Sequence, residues 1–124
     1  MFPFQRVVRT QGAAAILWGL ILVVWPGALF SLLGTTTDDA GLLMGRFAGG
    51  MLFALGVTLF AIRDTADPAV RRTVAIANGV TDLVMAVVLL LAAVFGITSG
   101  FMAWMIVFFF ALNTVSWLAT TRET

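Results

Sequence analysis

The stretch 41–62, GLLMGRFAGGMLFALGVTLFAI, decides the fold of this chain. It is an apolar run of 22 residues in which Arg46 is the only charged residue. A run of about 20 apolar residues crosses the hydrocarbon core of a bilayer as a helix. A cation at that depth needs a counter-charge, or a path for its head group to reach water. The stretch therefore predicts a transmembrane helix with one charge that the rest of the protein must accommodate.

The composition extends this prediction to the whole chain. Hydrophobic residues occupy 61% of the 124 positions and charged residues 10%, and the mean hydropathy is +1.08. A soluble domain is about half apolar and about one quarter charged. The net charge of +1, without a basic cluster, argues against a nucleic-acid partner. We expect an integral membrane protein whose partners are the lipid bilayer and either another membrane protein or a second copy of itself.

The residue types that are missing narrow the chemistry. The sequence has no Cys, His, Lys or Tyr, and its single Glu is residue 123. Thiolate and imidazole ligands for metals or haem are therefore absent, and so is a lysine for a Schiff base. One aspartate and one arginine at membrane depth supply no nucleophile with a base and an orienting group. We expect no metal, no cofactor and no enzymatic activity.

The pattern predicts an all-α protein, a bundle of four transmembrane helices in a single domain, 1–124. The predicted spans are about 7–25, 40–62, 69–95 and 101–119. Their boundaries rest on residues that end or cap helices: Trp25-Pro26-Gly27, Asp38 or Asp39, Asp67-Pro68 and Ser99. A short helical turn over 28–33 is expected between the first two spans.

The arginines predict the topology. The six that lie outside the second span fall in the N-terminal segment, the 63–72 loop and the C-terminal tail. The 34–39 loop and the 96–100 turn contain none. Basic residues remain on the cytoplasmic side of a membrane protein. We therefore predict that both termini and the 63–72 loop are cytoplasmic.

Arg46 and Asp82 are the two opposite charges at membrane depth. Arg46 lies roughly 6–9 Å from the outer end of the second span, and Asp82 roughly 15–20 Å above the cytoplasmic start of the third. Because burying either charge alone is costly, we predict an ion pair that joins the two spans. Two alternatives stay open. Arg46 extends outward while Asp82 is protonated, or both residues line a transport or ligand site.

Further polar residues follow the third and fourth spans. Asn78 lies one turn below Asp82, and Asn113 is expected at a similar depth on the fourth span. An interhelical hydrogen bond between these two asparagines is favoured over a binding site. If the protein has an internal pocket, a polar track lines it. Its members besides the charged pair are Asn78, Thr81, Asn113 and Ser116.

Small and aromatic residues predict the surfaces through which the helices pack. Glycines spaced along the spans let helix backbones approach closely. The predicted packing glycines are Gly45, Gly49, Gly50, Gly56 and Gly79. Three consecutive phenylalanines cannot all point inward, so the fourth span offers a face to lipid or to a protein partner. The residues of this candidate partner face are Trp104, Phe108, Phe109 and Phe110, and Trp104 and Trp117 suit the two membrane interfaces.

Three of these features give the chain a resemblance to the DoxX-like small bacterial membrane proteins with four spans. They are Trp25-Pro26 at the end of the first span, Arg46-Phe47-Ala48-Gly49-Gly50 early in the second, and Asn78 with Asp82 in the third. The resemblance implies a four-span fold in the bacterial inner membrane rather than a particular activity. A small multidrug exporter does not fit, because such exporters need a glutamate in the first span and this span has no acid. A fluoride channel does not fit, because the first span lacks the glycine-arginine motif of those channels.

The function that we expect is that of a non-enzymatic accessory or assembly subunit, or an oligomeric membrane component. The alternative is a carrier or binder of a small lipophilic or anionic molecule, with Arg46 and Asp82 forming its intramembrane pocket.

Overall fold

The computed structural model describes residues 3–123, and all regular structure in that range is helical. There are five α-helices: α1 Phe4–Val24, α2 Pro26–Leu32, α3 Asp39–Ala61, α4 Pro68–Val94 and α5 Phe101–Thr120. A short 3₁₀ turn, Thr121–Glu123, follows α5. The helices α1, α3, α4 and α5 are long and apolar enough to cross a membrane. The predicted all-α class with four membrane-spanning helices is thereby confirmed.

The capping residues explain where the helices begin. The carboxylate of Asp38 accepts a hydrogen bond from the Gly41 amide at 2.9 Å, so Asp38 rather than Asp39 caps α3. The carboxylate of Asp67 accepts one from the Ala69 amide at 2.9 Å at the start of α4. The first residues of α3 and α4 lie within one residue of the predicted starts of the second and third spans.

The start of α1 and the capping residue of α5 differ from the prediction. α1 begins at Phe4, three residues earlier than expected, and the Val7 amide donates to the Pro3 carbonyl at 3.1 Å. A transmembrane helix can extend beyond the hydrocarbon layer. The N-terminal segment that contains the arginines is therefore helical as well. The predicted Ser99 cap of α5 is wrong. Gly100 occupies the cap position with φ of +85°, and no side chain caps the helix there.

The contacts within the chain separate two compact units. One comprises Val8–Arg63. The other contains the chain up to Val7 together with the chain from Asp64 onward. The prediction of a single domain stays a prediction, and each unit is described by itself.

In the unit Val8–Arg63, α1 and α3 pack through glycines. A Cβ placed on Gly49 would lie 2.8 Å from the Gly19 carbonyl oxygen and 2.7 Å from Leu22 Cβ. A Cβ on Gly56 would lie 2.8 Å from the Gly12 oxygen. These backbones approach so closely that any side chain at Gly49 or Gly56 would displace the opposite helix.

The connection between α1 and α3 also packs on α3. Pro26 occupies the first turn of α2, where its missing amide hydrogen costs nothing. Its Cβ lies 3.0 Å from the Cβ position of Gly45, and the Phe30 ring lies 3.5 Å from the same position. Because Gly45 has no side chain, α2 can pack closely against the beginning of α3.

In the other unit, α4 packs against α5. The buried residues of α4 are small and recur along one stripe: Ala75, Gly79 and Ala86. The buried residues of α5 are mostly polar: Ala103, Asn113, Thr114, Ser116, Trp117 and Thr120. Apart from Trp117, the large apolar side chains of α5 are exposed or only half-buried, which reverses the arrangement of a soluble protein.

Few residues of any long helix are fully buried. In the most apolar window of each, only 17% to 33% of the residues are buried. The exposed residues are mainly Leu, Val, Phe and Met. An aqueous environment would not tolerate so large an apolar surface. The architecture is therefore that of a small polytopic membrane protein.

Candidate functional site

The acidic residue Asp82 lies on the side of α4 that faces α5. A Cβ added at Gly79, three residues earlier, would lie 3.1 Å from Leu118 Cδ2 and 3.4 Å from Trp117 Cβ. The missing side chain at Gly79 thus lets α5 come close to α4 at this level. The Trp117 side chain reaches Asp82 and hydrogen-bonds to its carboxylate. Because the indole N–H can only donate, the carboxylate is the acceptor.

Trp117 is a neighbour of Asp82 that the sequence pattern did not predict. It was assigned to a membrane interface, yet it is buried with 1% of its surface exposed. The spacing of Trp117 from Asn113 indicates that Trp117 lies on the inner side of α5. Trp117 follows Asn113 by four residues, so it lies on the polar side of α5. A buried indole N–H requires an acceptor, and Asp82 supplies one.

The side chains of the predicted polar track bond mainly within their own helices. Asn78 Nδ2 donates to the Val74 carbonyl at 2.9 Å, and Thr81 Oγ1 donates to the Ala77 carbonyl at 2.9 Å. Ser116 Oγ donates to the carbonyl of the residue four positions earlier in α5 at 2.9 Å. Such bonds satisfy a hydroxyl in an apolar environment without a partner on another helix.

The predicted bond between Asn78 and Asn113 is not decided by these contacts. Asn113 is buried in α5. The bond from Asn78 Nδ2 to its own helix leaves the amide oxygen and one N–H of Asn78 for another partner. A contact between the two asparagines stays a prediction.

Arg46 belongs to the unit Val8–Arg63, whereas Asp82 belongs to the other unit. Arg46 is exposed and lines an open groove on α3. The remaining lining residues of this groove are Leu43, Phe47, Gly50 and Met51. The ion pair between Arg46 and Asp82 stays a sequence-based prediction.

The glycines of α3 divide into two sets. Gly49 and Gly56 are buried against α1, and Gly45 is covered by Pro26. Gly50 was predicted with this packing group but lies about 100° around the helix from Gly49, on an exposed side. A Cβ built there has no other atom within 4 Å. Gly50 therefore forms an indentation in the outer surface of α3.

The candidate partner face on α5 is only partly exposed. Trp104, Phe108 and Phe109 have 50%, 61% and 40% of their surfaces exposed. Phe110 is half-buried, and its ring meets the Phe109 ring edge to face with centroids 5.6 Å apart. Trp104 and Phe108 share one face of the helix because they are four residues apart.

A third cluster joins the ends of the helices in the unit that contains α4 and α5. The ring of Phe4 meets the indole of Trp117 edge to face, with centroids 6.5 Å apart. The Arg71 guanidinium carbon lies 5.3 Å from the centre of the Phe4 ring, a cation–π distance. Arg71 Nε also donates to the Thr65 carbonyl at 2.7 Å. The Phe4 ring at the beginning of α1 therefore contacts the Trp117 indole in the last turn of α5 and the Arg71 side chain near the beginning of α4.

Comparison with known proteins gave no match: no family model, curated protein or solved structure resembles this chain closely enough to indicate kinship. The class is therefore defined by the fold alone, as a small polytopic membrane protein with four apolar helices.

Proposed function

We propose that this protein is a non-enzymatic accessory or assembly component of the bacterial inner membrane, of the DoxX-like four-span type. In this proposal it binds another membrane protein, or a second copy of itself, through the exposed aromatic side of α5. The observation that supports the proposal is a stripe of large aromatic side chains, each with half or more of its surface exposed.

This stripe consists of Phe101, Trp104 and Phe108, spaced three and four residues apart. Their exposed fractions are 75%, 50% and 61%. Lipid tails are as apolar as these rings, so burial alone does not favour a protein partner. Large rigid rings do favour one through close packing, and aromatic residues are enriched where proteins bind one another.

The opposite side of α5 is already occupied. Thr114, Ser116 and Thr120 are buried there and bond to carbonyls of their own helix. α5 thus combines a polar, internally satisfied face toward α4 with an aromatic outer face. One face of α5 packs within this protein while the other can contact a second protein. The two contacts are therefore compatible with each other.

The proposal can be tested by cross-linking in the native membrane. The chain has no Cys, so a single introduced cysteine carries no background. Phe108→Cys places the thiol at the centre of the aromatic stripe. Val87→Cys is a matched control. It is 47% exposed on α4 and, like Phe108, lies seven residues from the end of its helix at the 95–100 turn.

We expect a bifunctional thiol- and photoreactive reagent at Phe108→Cys to give one discrete adduct of defined mass. An adduct of twice the monomer mass indicates a second copy, and any other mass indicates a different protein. The Val87→Cys control should give none. Equal smears from both positions, or no adduct at Phe108, would contradict a partner on this face. A stoichiometric small molecule that co-purifies with uncross-linked protein would instead favour the carrier function.

A further inference from the structure

The outer face of α3 carries a groove with an unusual distribution of charge and bulk. Leu43, Phe47 and Met51 follow one another at four-residue spacing and form a ridge, with 53%, 62% and 76% of their surfaces exposed. Arg46 and Gly50 form the neighbouring row. A Cβ at Gly50 would meet no other atom within 4 Å, so the surface is indented there. The row therefore consists of the Arg46 cation followed by this indentation.

The geometry of a helix directs Arg46 toward the membrane surface. Arg46 follows the first residue of α3, Asp39, by seven positions, a rise of about 10 Å. Side chains on a helix lean toward its N-terminus, so the guanidinium reaches back from this depth toward the headgroup layer. Gly50 lies one turn deeper, at the level of the acyl chains.

Asp39 adds a second charge on the same line. Seven residues separate Asp39 from Arg46, so the two lie within about 20° of each other around the helix, and both are exposed. The carboxylate of the preceding Asp38 is engaged with the Gly41 amide. Proceeding from the surface inward, α3 therefore presents a carboxylate, a guanidinium and an apolar indentation.

We propose that this groove binds one zwitterionic phospholipid. Its phosphate contacts the guanidinium of Arg46, its ammonium group contacts the carboxylate of Asp39, and one acyl chain lies over Gly50 beside the ridge. The order of charges in such a lipid is the same, because the ammonium lies farther from the membrane centre than the phosphate. Arginine binds phosphate through paired hydrogen bonds, which fixes the lipid in one register.

The charge pattern disfavours other occupants. Phosphatidylglycerol carries no cation to place opposite Asp39, so that carboxylate opposes its binding. A helix from another protein that covers this row would separate the Arg46 guanidinium from headgroup phosphates and water, and would have to supply a counter-charge of its own. An ion pair between Arg46 and Asp82 would withdraw the guanidinium from the phosphate, so the two uses of Arg46 compete.

The test measures lipid affinity of the purified protein in mild detergent. Native mass spectrometry is used to titrate phosphatidylethanolamine and phosphatidylglycerol separately. We expect wild type to bind phosphatidylethanolamine more tightly. Arg46→Leu should weaken the binding of both lipids about tenfold or more, the loss expected for charge-assisted hydrogen bonds. Asp39→Asn should weaken only phosphatidylethanolamine and thereby abolish the preference.

Two further variants secure the interpretation. Gly50→Leu fills the indentation and leaves both charges in place, and it should weaken both lipids in a folded protein because no atom opposes the new side chain. Arg72→Leu removes another exposed arginine, near the beginning of α4, and should change neither affinity. If Arg46→Leu does not fold, Gly50→Leu and Asp39→Asn still decide the outcome.

Several results would overturn the proposal. The first is a wild-type protein that prefers phosphatidylglycerol. The second is a Gly50→Leu variant with unchanged lipid affinities. The third is an Arg72→Leu variant that loses as much lipid affinity as Arg46→Leu. Melting of Arg46→Leu, Asp82→Leu and the double variant gives an independent check. Additive losses are expected if Arg46 contacts lipid. A double variant that loses less stability than either single one would show that the two charges pair with each other.

Discussion

The indole of Trp117 hydrogen-bonds to the carboxylate of Asp82 and so joins α5 to α4 at the acidic residue inside α4. Trp117 is among the most deeply buried side chains of the described chain. A buried carboxylate without a donor would lose its hydration and gain nothing in return. This bond gives Asp82 a partner within its own unit, independent of any arginine.

Removal of the indole N–H should therefore destabilise the protein. Trp117→Phe keeps an aromatic ring for the contact with Phe4 but removes the donor, and we expect a loss of about 1–3 kcal/mol in the free energy of unfolding. Thermal melting in mild detergent measures it. Trp104→Phe, on the exposed side of α5, is the control and should change little. If both substitutions have equal effects, the bond to Asp82 contributes nothing.

The two neighbouring glycines of α3 should respond in opposite directions to alanine. Gly49→Ala places a methyl group within 3 Å of the backbone of α1, so we expect a loss of about 1–3 kcal/mol. Gly50→Ala meets no atom and should gain up to about 1 kcal/mol from the higher helix propensity of alanine. Melting of both variants under one condition compares them directly. Equal shifts would mean that α1 and α3 do not pack as described.

The bond between Asn78 and Asn113 can be tested by a double-mutant cycle. Asn78→Leu, Asn113→Leu and the double variant are melted in parallel. We expect a coupling energy of about 0.6 kcal/mol, typical of hydrogen bonds between membrane helices. Strict additivity would show that Asn78 bonds only within α4, to Val74, where its Nδ2 donates.

The topology can be mapped with reporter fusions. Fusions after Asp38 and after Thr98 should report the outer side of the membrane, and a fusion after Asp67 the cytoplasm, because the arginines cluster around the latter. The contacts of Phe4 with Arg71 and Trp117 are consistent with this pattern. A cytoplasmic signal at Asp38 would reverse the assignment.

The sequence predicts the helices of this protein better than their contacts. Helix boundaries depend on local chemistry, such as the Asp67 cap followed by Pro68, and these lie where they were expected. Which side of a helix faces its neighbour depends on the relative rotation of two helices. For that reason Gly50 could not be told from Gly49, and Trp117 was placed at an interface although it bonds to Asp82.

The contact between Phe4 and Trp117 has a consequence for biogenesis. Ribosomal synthesis delivers Phe4 to the membrane first, and Trp117 follows only after α1 to α4 have been made. In the nascent chain the ring of Phe4 therefore has no indole to meet, and Asp82 enters the bilayer before its hydrogen-bond donor exists. Insertion of α5 supplies both partners at once. A chain that stalls before Trp117 therefore carries the Asp82 carboxylate in its membrane segment without this hydrogen-bond donor.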